Sequence, residues 1–307
     1  MRAARITELG RPPETVDVDA PAGGTVVEME VVSLNPIDLA ICAGRFYGGH
    51  PEVPFVPGCE GVGRADGGLV YVFGGGLGLQ RDGTLAEQVE VPEGASFELP
   101  DDVDPALASA CGIAGIAGWT PVEVAGVKPD DRVLVLGATG TVGAIALQAA
   151  KLRGAARVVA AGRNRERLER AKELGADDVV ELGDDMADRF KEAFGGDGPT
   201  VVIDPLWGEP VVAAAQAAAP GARTVNIGQS AGGDATFPSA VVRGKQLRIV
   251  GHSNFAMTPW DRRRAHLELL KEVQAGRVAI DVERFPLDRV HDAWQAQAEG
   301  RKAIVEL

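Results

Sequence analysis

Between Asp131 and Val180 the spacing of apolar residues changes character twice. Val133, Leu134, Val135 and Leu136 form an unbroken apolar run, the pattern of a strand buried on both faces. Gly137, Gly140 and Gly143 follow at once, and the stretch AIALQAAKL then predicts a helix with a broad apolar face. A second apolar run, Arg157 to Ala161, begins about twenty residues after Gly137. Strand, glycine turn, helix and strand form the βαβ unit that binds a dinucleotide. In this reading the turn Gly137, Ala138, Thr139, Gly140, Thr141, Val142 and Gly143 holds the pyrophosphate at the helix N-terminus. The fit to G-x-G-x-x-G is offset, because the first glycine position falls on Ala138 with Gly137 just before it.

Strand patterns recur downstream in DDVVEL, TVVIDPLWG, ARTVNIGQ and LRIVGHSN, alternating with helical stretches such as Pro210 to Ala219. Six strands result, enough for a doubly wound parallel sheet whose loops at Asp204–Gly208 and at Gly228, Gln229 and Ser230 line a cofactor crevice. Upstream, ARITEL, TVVEMEVVSL, LVYVFG and EQVEVP read as short strands. A long Gly- and Pro-rich segment between them, residues 35–63, reads as irregular and functional. Residues 105–126 switch to an Ala-rich helical pattern. Near the C-terminus Leu267, Leu270 and Val273 mark an amphipathic helix. Val290, Ala293 and Trp294 mark a shorter helix with a core face, and KAIVEL closes the chain as a strand. The fold class expected is α/β. Residues 1–118 and 255–307 would form a β-rich catalytic domain, and 119–254 the dinucleotide-binding domain.

Charge and composition sharpen this picture. The chain has 307 residues, 45% of them hydrophobic, enough for a core in each domain. A net charge of −13 argues against nucleic acid or an anionic membrane as partner. The N-terminal stretch lacks an apolar signal core, and the expectation is a soluble cytoplasmic protein. Cys42, Cys59 and Cys111 are odd in number and form no C-x-x-C pair, which suits free thiols rather than a disulfide framework.

The end of the second strand selects the cofactor. An NAD site usually places a carboxylate there, on the ribose hydroxyls. This chain instead has Gly162, Arg163 and Asn164, followed by Arg165 and Arg167. A guanidinium can hold a 2′-phosphate through two hydrogen bonds, so NADP(H) is expected, with Arg163 as the phosphate ligand. Arg165 and Arg167 also suit the solvated start of a helix, with Glu166 and Glu169 as partners.

Several motifs in this order resemble the medium-chain dehydrogenase/reductase superfamily, and within it the zinc-independent NADPH:quinone oxidoreductase-like branch and related enoyl reductases. They are Asn35-Pro36-Ile37-Asp38, Val56-Pro57-Gly58-Cys59-Glu60-Gly61, Gly83-Thr84-Leu85-Ala86-Glu87 and the glycine turn. Asp204-Pro205 and Asn226-Ile227-Gly228-Gln229-Ser230 add to them. The resemblance implies a chaperonin-10-like fold for the β domain and a Rossmann dinucleotide domain. It also implies hydride transfer to a small quinone or an α,β-unsaturated carbonyl, and a homodimer joined through the last strands of the dinucleotide sheets. Asn35 would bond the nicotinamide or the substrate oxygen, and Tyr47 would donate a proton or hydrogen bond, though Phe46 competes for that alignment. Asp38 would order its loop through backbone N–H groups.

No metal is expected. In the superfamily's zinc alcohol dehydrogenases the first Cys ligand would fall at Asn35, the His-Glu pair at Cys59-Glu60, and a last Cys near Cys111. Two thiols and a carboxylate could in principle hold zinc, but the leading ligand is gone and no histidine accompanies Glu60. His50, His252, His266 and His291 all lie elsewhere in the sequence. Two other readings stay open: a zinc-dependent alcohol dehydrogenase, and a non-catalytic NADPH-binding protein.

Overall fold

The apolar run at 133–136 becomes the strand Arg132–Leu136, at the centre of a six-stranded sheet in a computed structural model that describes residues 1–307. The sheet runs Asp178–Glu181, Arg157–Gly162, Arg132–Leu136, Val201–Asp204, Arg223–Asn226, Arg248–Gly251. Every neighbouring pair is parallel. The first of these strands in sequence lies in the middle; the chain winds outward on one side and then returns to the other. The order therefore reverses between Arg132–Leu136 and Val201–Asp204, the place where such sheets bind ligands. Leu134, Leu136, Val159, Ala161 and Val202 lose all contact with solvent beneath Phe190, Val211 and Ala214. Burial on both faces explains why these strands read as continuous rather than alternating apolar runs.

The chain divides into two compact units. The sheet above belongs to one, made of Gly115–Ala265 and Gly276–Ala279. The other comprises Met1–Ala114, His266–Ala275 and Ile280–Leu307 and is the separate β domain. Its main sheet has seven strands, ordered Glu283–Pro286, Ala303–Glu306, Thr25–Ser33, Glu60–Ala65, Gly68–Phe73, Ser96–Glu98, with Gln88–Val91 pairing Thr25–Ser33 as well. All pairings are antiparallel except that of Glu283–Pro286 with Ala303–Glu306. A small hairpin, Arg2–Arg5 with Glu14–Asp17, completes it.

The segment 35–63 holds more order than its composition suggests. It contains the helix Pro36–Cys42 and enters the strand Glu60–Ala65. Pro36 sits in the first helical turn, where its missing N–H costs nothing, and Asp38 reaches back to the Asn35 N–H at 2.8 Å. Gly61 and Gly63 lie in the strand because a neighbour crosses closely. A Cβ on Gly63 would stand 2.3 Å from the Glu28 carbonyl oxygen, and one on Gly61 2.7 Å from that of Val31.

Residues 105–126 are helical as expected. Pro105–Val124 is also long and apolar enough to cross a membrane by composition, but 78% of its apolar window is buried within the protein. Gly112, at φ −71° and ψ −120°, breaks it. Val290, Ala293 and Trp294 are buried, as their spacing indicated.

His266 lies wholly inside the β domain, with its ring against Tyr71 and its Nε2 atom 2.8 Å from the Ala108 carbonyl. A carbonyl only accepts, so Nε2 carries the proton. Burial pushes this imidazole down to about 4. The unfolded chain therefore takes up a proton first, and the stability due to neutral His266 is whole above about pH 6.5 and lost as pH falls toward 4. Denaturant unfolding at pH 7 and pH 5 should show a larger acid loss for the wild type than for His266→Gln, which keeps an N–H donor. Between these two pH values the difference is roughly 2 kcal/mol; other titrating groups are common to both proteins and cancel.

Candidate active site

In the dinucleotide unit the site begins at the end of the central strand. Gly137 takes φ +63°, and the chain turns there beside Pro205 and Leu206. Gly140 caps the helix Thr141–Leu152 without a side chain, leaving the first-turn N–H groups to a ligand. Gly143 is the packing glycine: a Cβ there would stand 2.4 Å from the Gly137 carbonyl oxygen and 2.6 Å from the Ala138 Cα. Gly162 ends the neighbouring strand against Thr139, whose Cγ2 would lie 2.5 Å from an added Cβ. The glycine turn and the end of the second strand are thus in contact.

Arg163 follows Gly162 in the open, with no ion pair or hydrogen bond of its own. Asn164 serves the backbone instead. Its Oδ1 accepts from the Arg167 N–H at 3.0 Å and caps the helix Arg165–Glu173. Further along that helix Arg170 pairs with Glu173 and Lys172 with Glu169. The helix therefore satisfies part of its charge internally, while Arg163 remains uncommitted.

The loops after the next two strands are laced together. Asp204 accepts from the N–H groups of Leu206 and Trp207 at 2.9 and 2.8 Å, and from the Asn226 amide at 2.9 Å. That amide also donates to the Gly228 carbonyl at 2.8 Å. Burial raises the Asp204 carboxyl above its ordinary range. Gly228 has no room for a side chain, since a Cβ would meet the Pro205 carbonyl oxygen at 2.7 Å, and Gln229 next to it is exposed. Trp207, at φ +57° and ψ −162°, occupies backbone space that is nearly reserved for glycine. Nothing in the sequence pattern marks that strain.

The β domain holds a buried polar cluster. Asn35 is 1% exposed. Its Nδ2 donates to the Ser33 carbonyl at 3.1 Å and to Glu60 Oε1 at 2.6 Å, and its Oδ1 accepts from Lys302 Nζ at 2.7 Å. Both amide hydrogens are taken. Glu60 is fully buried; its Oε2 accepts from the Tyr71 hydroxyl at 2.6 Å and from the Ile113 N–H at 2.5 Å. Lys302, 3% exposed, also donates to the Leu34 carbonyl at 2.8 Å. Asp38 accepts from the N–H groups of Asn35 and Cys59 at 2.8 and 2.9 Å, so it does order its loop. Burial raises its carboxyl to about 6. Tyr47 lies outside this cluster, 88% exposed with its ring 4.4 Å from Phe46. Sequence reasoning singled out Asn35 and Asp38, but it did not find Lys302 or Tyr71, because a lysine heading a strand gives no sign that it is buried.

Comparison with known proteins places this architecture. The family model described as zinc-binding dehydrogenase matches residues 141–278. A quinone oxidoreductase-like protein 2 of Rattus norvegicus is 27% identical over 311 residues, covering 95% of this chain and 87% of the rat protein. The quinone oxidoreductase of Thermus thermophilus, solved alone and with NADPH, is 29% identical with a TM-score of 0.79 and full coverage of both chains. These likenesses support a medium-chain dehydrogenase/reductase resembling the quinone oxidoreductase-like proteins. An NAD-dependent alcohol dehydrogenase structure is 26% identical at TM-score 0.86, again over the whole of both chains. The chain also matches a phenolphthiocerol/phthiocerol polyketide synthase subunit of Mycobacterium tuberculosis, 30% identical over 296 residues, but spans only 13% of its length.

The matching family's description raises the question of zinc, and the donor set does not fit it. No group of three or more His, Cys, Asp or Glu side chains is arranged to hold a metal. The thiols of Cys59 and Cys111 are buried, and burial and nearby carboxylates hold them well above the ordinary range. Both Glu60 oxygens already accept hydrogen bonds. Zinc prefers sulfur and imidazole nitrogen at close range, and no such set of three converges here.

The geometry separates two glycine roles. A Cβ on Gly140 would meet nothing closer than 3.7 Å, so Gly140→Ala should unfold within about 0.5 kcal/mol of the wild type while losing dinucleotide affinity. Gly143→Ala drives a Cβ into backbone and should cost roughly 1–3 kcal/mol even without ligand. Denaturant unfolding with and without cofactor distinguishes the two.

Proposed function

We propose that the chain is an NADPH-dependent, zinc-independent oxidoreductase that transfers hydride to a small quinone or to the activated C=C bond of an α,β-unsaturated carbonyl. The observation that carries the cofactor is the unpaired Arg163 guanidinium beside the glycine turn, with no carboxylate at the strand end to repel a 2′-phosphate. The NADPH complex of the Thermus relative supports the same reading. NADPH, when bound, supplies the hydride. The chain's own part is to hold the pyrophosphate on the N–H groups after Gly140 and the 2′-phosphate on Arg163.

An electron-poor acceptor suits a site without a Lewis acid. Hydride addition to a quinone or an enone leaves a delocalised anion, which needs only a hydrogen bond and a proton. Both Asn35 donors face inward, so Asn35 acts through Glu60 and Lys302 rather than by donating to substrate oxygen. Tyr47, exposed on its loop, is the proton or hydrogen-bond donor of this proposal. The alcohol dehydrogenase reading has support in overall structural likeness. It requires a metal that the donor set does not accommodate.

We further infer a soluble cytoplasmic homodimer formed by edge pairing of the dinucleotide sheets. The edge strand Arg248–Gly251 supports it, being exposed along its whole length with Ile249 at 40% and Val250 at 43%. An apolar open edge of this kind invites a second strand.

The first test is NADPH oxidation by chelator-treated protein against a short quinone and a conjugated enone, with NADH in parallel. Turnover surviving chelation, faster with NADPH, is expected; loss of activity restored by zinc would overturn the reading. Arg163→Ala should weaken NADPH binding roughly 10- to 100-fold while shifting NADH by less than about 2-fold. Equal losses for both cofactors would remove Arg163 from the phosphate site. Val250→Lys should convert the dimer to monomer in sedimentation analysis.

A further inference from the structure

The positions that resemble metal-ligand positions do converge in the β domain, but they converge on a side chain. Lys302 Nζ lies 2.7 Å from Asn35 Oδ1, 2.8 Å from the Leu34 carbonyl and 3.8 Å from Glu60 Oε1. The first two oxygens accept hydrogen bonds from the ammonium, and Glu60 faces it as the partner of an ion pair. Cys111 lies next to Gly112, where an added Cβ would collide with Glu60 Oε2. A carbonyl, an amide oxygen and a carboxylate form the kind of cage that suits a hard cation, in contrast to the nitrogen and sulfur set of zinc.

We propose that Lys302 is a built-in cation that occupies the place of a metal among Asn35, Glu60 and Cys111 and closes that place to external ions. This rests on the zinc-independent reading above. The ammonium is tethered by its own chain, so it cannot dissociate or be chelated. Its two short hydrogen bonds fix Asn35 with Oδ1 toward the ammonium and Nδ2 toward Glu60. Lys302 is half of a buried ion pair that also neutralises Glu60, which otherwise relies on neutral donors from Asn35, Tyr71 and Ile113. Removing one member of such a pair leaves the other uncompensated in the interior.

The consequence is specific to cations. Lys302→Ala leaves an empty cage beside an unpaired carboxylate, and its melting temperature should fall by roughly 5–10 °C. Methylammonium at high concentration should restore much of that loss, whereas tetramethylammonium at the same ionic strength, too large and without N–H donors, should not. Neither salt should act this way on the wild type. Equal effects of the two salts on Lys302→Ala would overturn the proposal, because a merely structural lysine predicts no discrimination. If Lys302→Ala fails to fold, Lys302→Met and the double variant Lys302→Met/Glu60→Gln replace it. The double variant should melt higher than Lys302→Met alone; strictly additive losses would overturn the proposal.

Metal analysis separates the internal cation from the reading it rests on. Stoichiometric zinc in wild-type protein, with turnover lost on chelation, would overturn both the zinc-independent reading and the internal cation. Chelator-resistant turnover together with no amine rescue would leave the reading intact and overturn only the role of Lys302.

Discussion

A carboxylate without solvent must find its charge balance inside the protein, and Glu60 sets that requirement for the whole β domain. Its partners come from four places far apart in sequence: Asn35, Tyr71, Ile113 and Lys302. They sit before the helix Pro36–Cys42, within the strand Gly68–Phe73, beyond the helix Pro105–Ala110 and ahead of the strand Ala303–Glu306. Satisfying one buried charge therefore places all four segments at once. Asp38 adds a second buried carboxyl one helical turn from Asn35, so the cluster holds two acids against one ammonium. Burial accordingly raises Asp38 to about 6.

The dinucleotide unit solves a different problem, which is steric rather than electrostatic. Backbone must approach backbone closely enough at 137–143 to leave N–H groups open at the helix end, and Gly143 makes that approach possible. The following loops are then fixed by Asp204 and Asn226, whose hydrogen bonds tie two strand ends together. The strained Trp207 backbone sits in this rigid frame, where three acceptor contacts around Asp204 over-determine it.

The two halves differ in how far the sequence reveals them. Strands buried on both faces are apolar nearly throughout, so the inner strands could be read from runs such as Val133–Leu136, while the edge strands Asp178–Glu181 and Arg248–Gly251 are more open to solvent. The glycine turn was equally legible, because close approach admits only one residue type at 143. In the β domain the strand Glu60–Ala65 was hidden in a stretch whose composition reads as irregular, since Gly61 and Gly63 give it no alternation to read. Lys302 was invisible for a related reason: its burial depends on oxygens supplied by residues 34, 35 and 60, and no local pattern encodes them. Arg163 could be singled out because the proposal for it needs only the residue type at one strand end, whereas any role for Asn35 and Tyr47 depends on which way their side chains turn.

The C-terminal strand Ala303–Glu306 pairs with Thr25–Ser33, among the first strands of the chain. On a ribosome this separates the two units in time. Most of the dinucleotide sheet is available once residue 251 has emerged, and it can fold while the N-terminal segment still waits. The β domain cannot complete its main sheet until residues 303–306 are available, and the same segment brings the ammonium of Lys302 to Glu60.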